Sequence, residues 1–442
     1  MRGGLSAALS VPAFIQDKFP EFAARLDSDG PIGVAVSGGG DSVALLYALA
    51  AWNQRPLEVF CVDHGLNALS PQWTQSVADH AARVGAGFTA LHWQGEKPST
   101  GLPAAARLAR HRLLAEAART KDVAVLCLAH TADDITEAHA MQAQGSNVGV
   151  PKVWSPSPVW PEGRGVFLYR PFLDVRREAL RDYLRGIGAL WIEDPANASP
   201  HSLRARTRKI LQDQPLADRP PETEEMMAPG RMQALLHMPE TLGPLGMIAF
   251  RADVFDALPR ETVLRLLAIT AVCAGGGDKL PRHDKVVTLL KAMSTGQPMT
   301  LSGARVYRQA DVIAICRETG DIGRNRPATI RLDGAGEAVW DGRFAISSPQ
   351  AGEITASARL RGELSAADRA WLVTQPERLR GSQPAFIGEE QKDNQNKCLL
   401  TNPALRQSAY NTIQANCLVM SRLYAALGLV VTEGAVRCAK ND

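Results

Sequence analysis

Six consecutive residues, SGGGDS (37–42), combine the backbone freedom and side chains that an anion site needs. Gly38, Gly39 and Gly40 let the chain approach a ligand closely and take conformations closed to other residues. Their successive N–H groups can surround phosphate oxygens as a nest, and a helix starting near Ser42 adds the positive end of its dipole. Ser37 and Ser42 carry hydroxyls able to donate to the same oxygens. Asp41 by itself repels phosphate; it makes sense where a magnesium ion bridges it to the phosphate oxygens. The six residues therefore read as a site for a magnesium–nucleotide complex. They have no lysine and do not fit the GxxxxGKS/T loop, nor do they fit GxGxxG. A second glycine string, GGGDK (275–279), follows the apolar helical run AITAVCA and precedes a proline, so it reads as a helix-terminating turn.

The elements around the first loop suit it. IGVAVS (32–37) is an apolar run of strand length entering the loop, and SVALLYALAAW (42–52) an apolar run of helix length leaving it. Strand-like LEVFCVD (57–63), a helix over 70–85 with a cap-like Ser70, strand-like FTALHW (88–93), an Ala- and Arg-rich helix over 103–119 and strand-like VAVLCLAH (123–130) continue the alternation. This predicts an α/β fold, a mostly parallel sheet with helices on both faces. Ligands of such sheets bind beyond the C-terminal strand ends, where Asp63, His64, His130 and the glycine loop all fall. A further helix is expected over about 175–187. The polar, Pro-rich stretch 212–230 marks the main boundary. A helical region spans 231–296, with its clearest helix at 258–272, and hairpin strands follow residue 299. The expected domains are 1–215, 216–298 (helical) and 299–442 (small, mixed α/β), with a surface loop at 391–398.

A chain of 442 residues suits two or three such cores. Its 49 basic and 46 acidic residues give a net charge of +3, so an RNA partner would need local basic patches. Residues 164–209 supply one, with ten Arg or Lys against five Asp or Glu. No 18-residue apolar run predicts a membrane span. Seven scattered cysteines form no CxxC, and Cys61 and Cys127 sit in apolar strand-like runs, which suits a reducing cytoplasm.

SGGGDS resembles the SGGxDS loop of the N-type ATP pyrophosphatases, the PP-loop enzymes. Within that class the chain is most similar to the tRNA(Ile)-lysidine synthases. VDHGLN (62–67), AAARLARHRLL (104–114), LAHTADDITEA (128–138, against HxxDDxxET), QGSN (144–147, against RGSG), RPFLDVRREALRDYL (170–184) and WIEDPANASPHSLRARTRKIL (191–211) carry the resemblance over about residues 30–211. Pro103, His111, Thr131, Ile135, Ala138, Gln144, Asn147 and Ala205 depart from the family's usual residues. The resemblance implies a PP-loop, adenine-nucleotide α-hydrolase-like fold that uses ATP and Mg2+. It implies adenylation of the first anticodon cytidine of tRNA(Ile) with anticodon CAU, then displacement of AMP by free L-lysine to give lysidine.

On this footing Ser37, Gly38, Gly39, Gly40, Asp41, Ser42, Asp63 and His64 are the expected nucleotide contacts, and Asp41 and Asp133 the expected metal ligands. Asp41, Arg107, His130, Asp133 and Asp134 are the expected catalytic residues. On a helix following His130, Asp133 and Glu137 share a face while Asp134 points about 100° away. One acid can then serve magnesium or the amine and another a structural partner. Arg107 and Arg110 suit a phosphate or the target nucleotide. Trp191 is expected to pack rather than stack on a base, and His111 and His139 to stand outside the chemistry. The alternatives are another PP-loop tRNA-modifying enzyme, such as a thiolase, or a non-catalytic RNA- or nucleotide-binding relative. A homodimer stays open, and no other protein partner is expected.

Overall fold

Strand β1 (Ile32–Ala35) lies inside a six-stranded sheet of order β3-β2-β1-β4-β6-β5. Its neighbours are β2 (Leu57–Asp63), β3 (Gly87–His92), β4 (Val125–Cys127), β5 (Trp154–Pro156) and β6 (Phe167–Tyr169). All pairings are parallel except β5 with β6, at one edge. The strand alternation sorts the side chains between two cores. Val34, Val59 and Cys61 join Val43, Leu46, Val77, Leu180 and Leu184, whereas Phe60, Leu126 and Leu168 join Leu114 and Ala118. Thus α3 (Gly40–Trp52), α4 (Ser70–Val84) and α7 (Arg177–Gly186) cover one face and α5 (Leu102–Thr120) the other. Helix α3 is buried from Ser42 to Leu49, which is why its sequence is apolar all round. Short helices α1 (Ala13–Gln16) and α2 (Phe19–Ala23) precede β1, with Phe19 and Phe22 buried. Helix α6 (Ala132–Ala143) follows β4, and α8 (Leu203–Gln212) comes after α7.

These coordinates are a computed structural model, which describes residues 12–146, 148–193, 203–212, 234–236, 243–324, 326–334, 336–360, 362–389, 397–403 and 412–441. Most of the Pro-rich boundary at 212–230, most of the loop at 391–398, residues 194–200 and Asn147 lie outside them. By internal contacts the chain forms two units, Met1–Glu225 with Val430–Cys438, and Met226–Leu429 with Ala439–Asp442. The first unit thus recovers a segment from the far end of the chain. Its anchor is Glu433, whose buried carboxylate accepts from Arg55 at 3.2 Å and Arg437 at 3.1 Å.

In the second unit, α9 (Ala252–Asp256), α10 (Arg260–Gly275) and α11 (His283–Ser294) accompany the sheet β7-β10-β9-β8, made of β7 (Ile248–Arg251), β8 (Met299–Leu301), β9 (Ala304–Gln309) and β10 (Val312–Arg317). The stretch expected to be helical therefore contains a strand, β7, paired antiparallel with β10. Two more antiparallel sheets, of four and three strands, follow. Gly276 ends α10 at φ 72°, so the look-alike glycine string is a helix terminus.

Candidate active site

The glycine loop is braced from behind. Gly38 takes φ 86°, and its carbonyl accepts the Ile192 N–H at 2.9 Å. A Cβ on Gly38 would run into Ile192 Cδ1, and one on Gly40 would meet the Trp191 ring at 3.4 Å. Trp191 and Ile192 thus pack against the loop, the packing role expected for Trp191. Gly39 holds the N-cap position of α3, which leaves the first-turn N–H groups of Gly40 and Asp41 without a helical acceptor. Ser42 works inward: its hydroxyl donates to Gly39 O at 2.8 Å and accepts the Ser37 N–H at 3.2 Å. That hydroxyl therefore shapes the loop, and the Ser37 hydroxyl lies 3.4 Å from it.

Asp41 faces an acid cluster built by α6. One guanidinium, Arg177, spans it: Nε donates to Asp41 Oδ2 at 3.1 Å, Nη1 to Glu137 Oε1 at 3.3 Å and Nη2 to Asp134 Oδ1 at 3.4 Å. The Arg177 backbone N–H donates to Asp133 Oδ2 at 2.8 Å, and Arg208 Nε to Glu137 at 2.6 Å. Burial pushes the Asp41 carboxyl above its ordinary value, against the opposing pull of Arg177. Burial draws the Arg177 pKa down, but the carboxylates of Asp134, Asp41, Glu137 and Asp133 more than reverse it. Asp134 also fixes the start of the helix. Its Oδ2 accepts from the Thr131 N–H at 2.8 Å and Oγ1 at 3.0 Å, a capping box. Thr131, where the family usually has a second histidine, thus gains a helix-capping role.

Among the described residues, no three His, Cys, Asp or Glu side chains gather as a metal cage. Asp41 beside the nest nevertheless suits magnesium, which takes one or two carboxylates and draws its other ligands from phosphates and water. One Asp133 oxygen is already engaged by the Arg177 N–H.

On the α5 side the site is cationic. His111 is buried, and burial together with the charges of Arg110, Arg107, Arg170 and His130 pushes its pKa down to about 2, so it is neutral at working pH. Burial and the charges of Arg107 and Arg110 lower Arg170 to about 10. Arg170 donates to Lys152 O at 2.7 Å and Ser155 Oγ at 3.1 Å, and its Nε has no hydrogen-bond partner among the described residues. His64 stands near Arg110; burial and that charge lower its pKa. Asp63 turns into its own loop, accepting the Gly65 N–H at 2.7 Å with His92 at 3.6 Å. His130, Arg107 and Arg110 thus share a charged neighbourhood, while Asp63 is engaged locally. Many arginines of the basic stretch 164–209 are spent internally. Arg177 and Arg208 serve the acid cluster, and Arg181 and Arg185 pair with Glu193, Glu178 and Asp182.

Residue reading missed Arg177, Arg170 and Arg208. A signal for Arg177 existed: an arginine in the first turn of α7 opposes the helix dipole and so calls for carboxylate partners.

A glycine nest between β1 and α3, an aspartate in the helix first turn and acids beyond β4 define a nucleotide-binding α/β domain, and residues 13–214 match the family described as PP-loop domain. Across 417 residues the chain is 37% identical to the tRNA(Ile)-lysidine synthase of Caulobacter vibrioides, covering 92% of this chain and 96% of that one. It is 34% identical to that of Ruegeria pomeroyi, covering 76% and 81%. The chain belongs to the tRNA(Ile)-lysidine synthase family. Among solved structures, the U34-tRNA thiolase NcsA from Methanococcus maripaludis aligns with 16% identity and a TM-score of 0.38, over 45% of this chain and 72% of that one.

Proposed function

We propose that the chain ligates L-lysine to C2 of the first anticodon cytidine of tRNA(Ile) with anticodon CAU, using ATP and releasing AMP and pyrophosphate. The observation that carries this is the glycine nest with Asp41 facing the α6 acids, in a chain whose likeness to a lysidine synthase runs nearly end to end. Gly38, Gly39 and Gly40 and the α3 N-terminus hold the phosphates. Asp41 is the residue that would hold Mg2+, which when bound shields the phosphate charge. Asp133 adds a second carboxylate close by. The cytidine O2 attacks the α-phosphorus and pyrophosphate leaves. The lysine ε-amine then attacks C2, the C2–O bond breaks and AMP departs. The amine must be neutral when it attacks, and Asp133, Asp134 and Glu137 are the carboxylates that can bind its ammonium and take its proton. We assign Arg107 and His130 to holding the anionic nucleotide, with His64 and Asp63 at the C-terminal end of β2 as further contacts. Unstacking the cytidine is inexpensive in an anticodon loop.

The thiolase alternative is disfavoured by the cysteines. Burial pushes Cys61 up to about 11 and Cys127 further, away from reactive thiolate. Among the described residues no helix is long and apolar enough to cross a membrane, and we place the enzyme in the cytoplasm, where its tRNA is. The test is incubation with ATP, Mg2+, labelled lysine and the CAU tRNA, scoring label in RNA and AMP release. Folded, ATP-binding protein that puts no lysine into this tRNA refutes the proposal.

A further inference from the structure

The one guanidinium at the centre of the acid cluster does more than a structural ion pair requires. Its three nitrogens reach three carboxylates, and two of those lie on a different motif from the third. These contacts, 3.1 to 3.4 Å, are longer than the 2.6 Å of Arg208 on Glu137 and longer than is usual for charge-assisted bonds. The guanidinium is shared among its partners rather than locked bidentate on one of them. What anchors the residue is its backbone, through the N–H held by Asp133. The charges matter too. Asp41, Asp133, Asp134 and Glu137 all lie against Arg177, so one guanidinium is shared among four carboxylates, the kind of ligand a divalent cation takes.

We propose that Arg177 is a built-in counter-ion that occupies Asp41 when no metal–nucleotide is present and yields it when one binds, staying on Asp134 and Glu137. This rests on the reading of Asp41 as the magnesium carboxylate. Arg177 is then a positioning residue. It keeps four acids from repelling each other in the free enzyme, keeps Asp41 aimed at the nest, and keeps a bare divalent cation out until phosphates come with it.

The experiment measures Mn2+ binding to the full chain by loss of the free-ion electron paramagnetic resonance signal, first without ATP or RNA. Arg177→Gln is expected to bind Mn2+ at least about tenfold tighter than the parent, since one resident positive charge is gone (each tenfold is about 1.4 kcal/mol). Arg177→Lys, which keeps the charge but reaches fewer carboxylates, is expected to gain only a few-fold. Adding Asp41→Asn to Arg177→Gln should abolish the gain. With ATP present, parent and Arg177→Gln should converge. If both Arg177 variants bind Mn2+ like the parent, or Arg177→Gln only lowers the melting temperature, the proposal is overturned and Arg177 is structural. If Arg177→Gln does not fold, the Arg177→Lys gain decides alone. Should Mn2+ binding by the parent with ATP be indifferent to Asp41→Asn, the metal reading of Asp41 fails, a result distinct from failure of the counter-ion.

Discussion

Gly38→Ala tests whether the loop is held in one shape by its brace. Gly38 sits at φ 86°, where an L-residue costs about 1–2 kcal/mol. The new methyl also runs into Ile192 Cδ1, the end of a side chain that can rotate away at about 0.5–1.5 kcal/mol for an off-rotamer angle. Together that is about 1.5–3.5 kcal/mol, and because the Gly38 carbonyl must also keep the Ile192 N–H, the loop cannot relax without losing that bond. If the cost falls on the nucleotide-binding shape, ATP affinity drops on the order of 10- to 300-fold. Isothermal titration with a non-hydrolysable ATP analogue measures it. The double variant Gly38→Ala, Ile192→Ala removes the collision but not the backbone strain, so it should recover about tenfold at most. Affinity within threefold of the parent for Gly38→Ala would refute the reasoning, because the nest would then not depend on a left-handed residue. Full recovery in the double variant would refute the strain component alone.

Asp41→Asn is expected to lower AMP and pyrophosphate release by at least about a hundredfold while tRNA binding in a filter assay stays within a few-fold; equal turnover would remove its metal role. Glu433→Ala leaves Arg55, itself nearly buried, without its carboxylate, for a loss of about 3–5 kcal/mol and roughly 10 °C in the melting temperature of the first unit; an unchanged melt would show that the C-terminal segment does not hold that unit. His111 is neutral when folded but takes a proton near its ordinary value when unfolded. Its contribution to stability is therefore complete above about pH 6.5 and is lost as pH falls towards 2. Between pH 7 and 5.5 the parent should lose about 1 kcal/mol more than His111→Tyr in urea melts, and parallel losses would contradict the buried, neutral histidine.

The alternation of β1 to β4 with α3, α4 and α5 was legible because short apolar runs of strand length alternate with stretches of helix length. Strand β7 was not, since a four-residue strand has no period long enough to separate it from helix. Ser70 shows how local chemistry misleads by one position. It lies inside α4, whose cap position is Leu69 with no side-chain bond, so Pro71 rather than a cap marks the start. The glycine nest and Asp41 could be read because every part of them is contiguous. The partner of Asp41 could not, because Arg177 lies 136 residues away and its sequence neighbours look like an exposed helix start. The same holds for Glu433, which meets Arg55 across 378 residues. A lone glutamate near the chain end carries no local mark of burial.

The end of β4 divides the site by charge, and the division matches what the proposed reaction requires. His130 belongs to the side with Arg107, Arg110, Arg170 and a neutral His111. The next residue, Thr131, opens the helix that carries Asp133, Asp134 and Glu137. Adenylation gathers negative charge on the departing pyrophosphate, whereas the incoming amine arrives positive and must shed a proton. A uniform field would favour one reactant and repel the other. A cationic group on the His130 side and an acidic group on the helix that Thr131 opens can hold both, provided the acids are kept apart and partly neutralised before the reactants arrive. Arg177 and Arg208 are the groups that do this. Removing either should therefore harm the amine step more than ATP binding, so that lysine KM rises further than ATP KM; the reverse order would place these arginines on the nucleotide side instead.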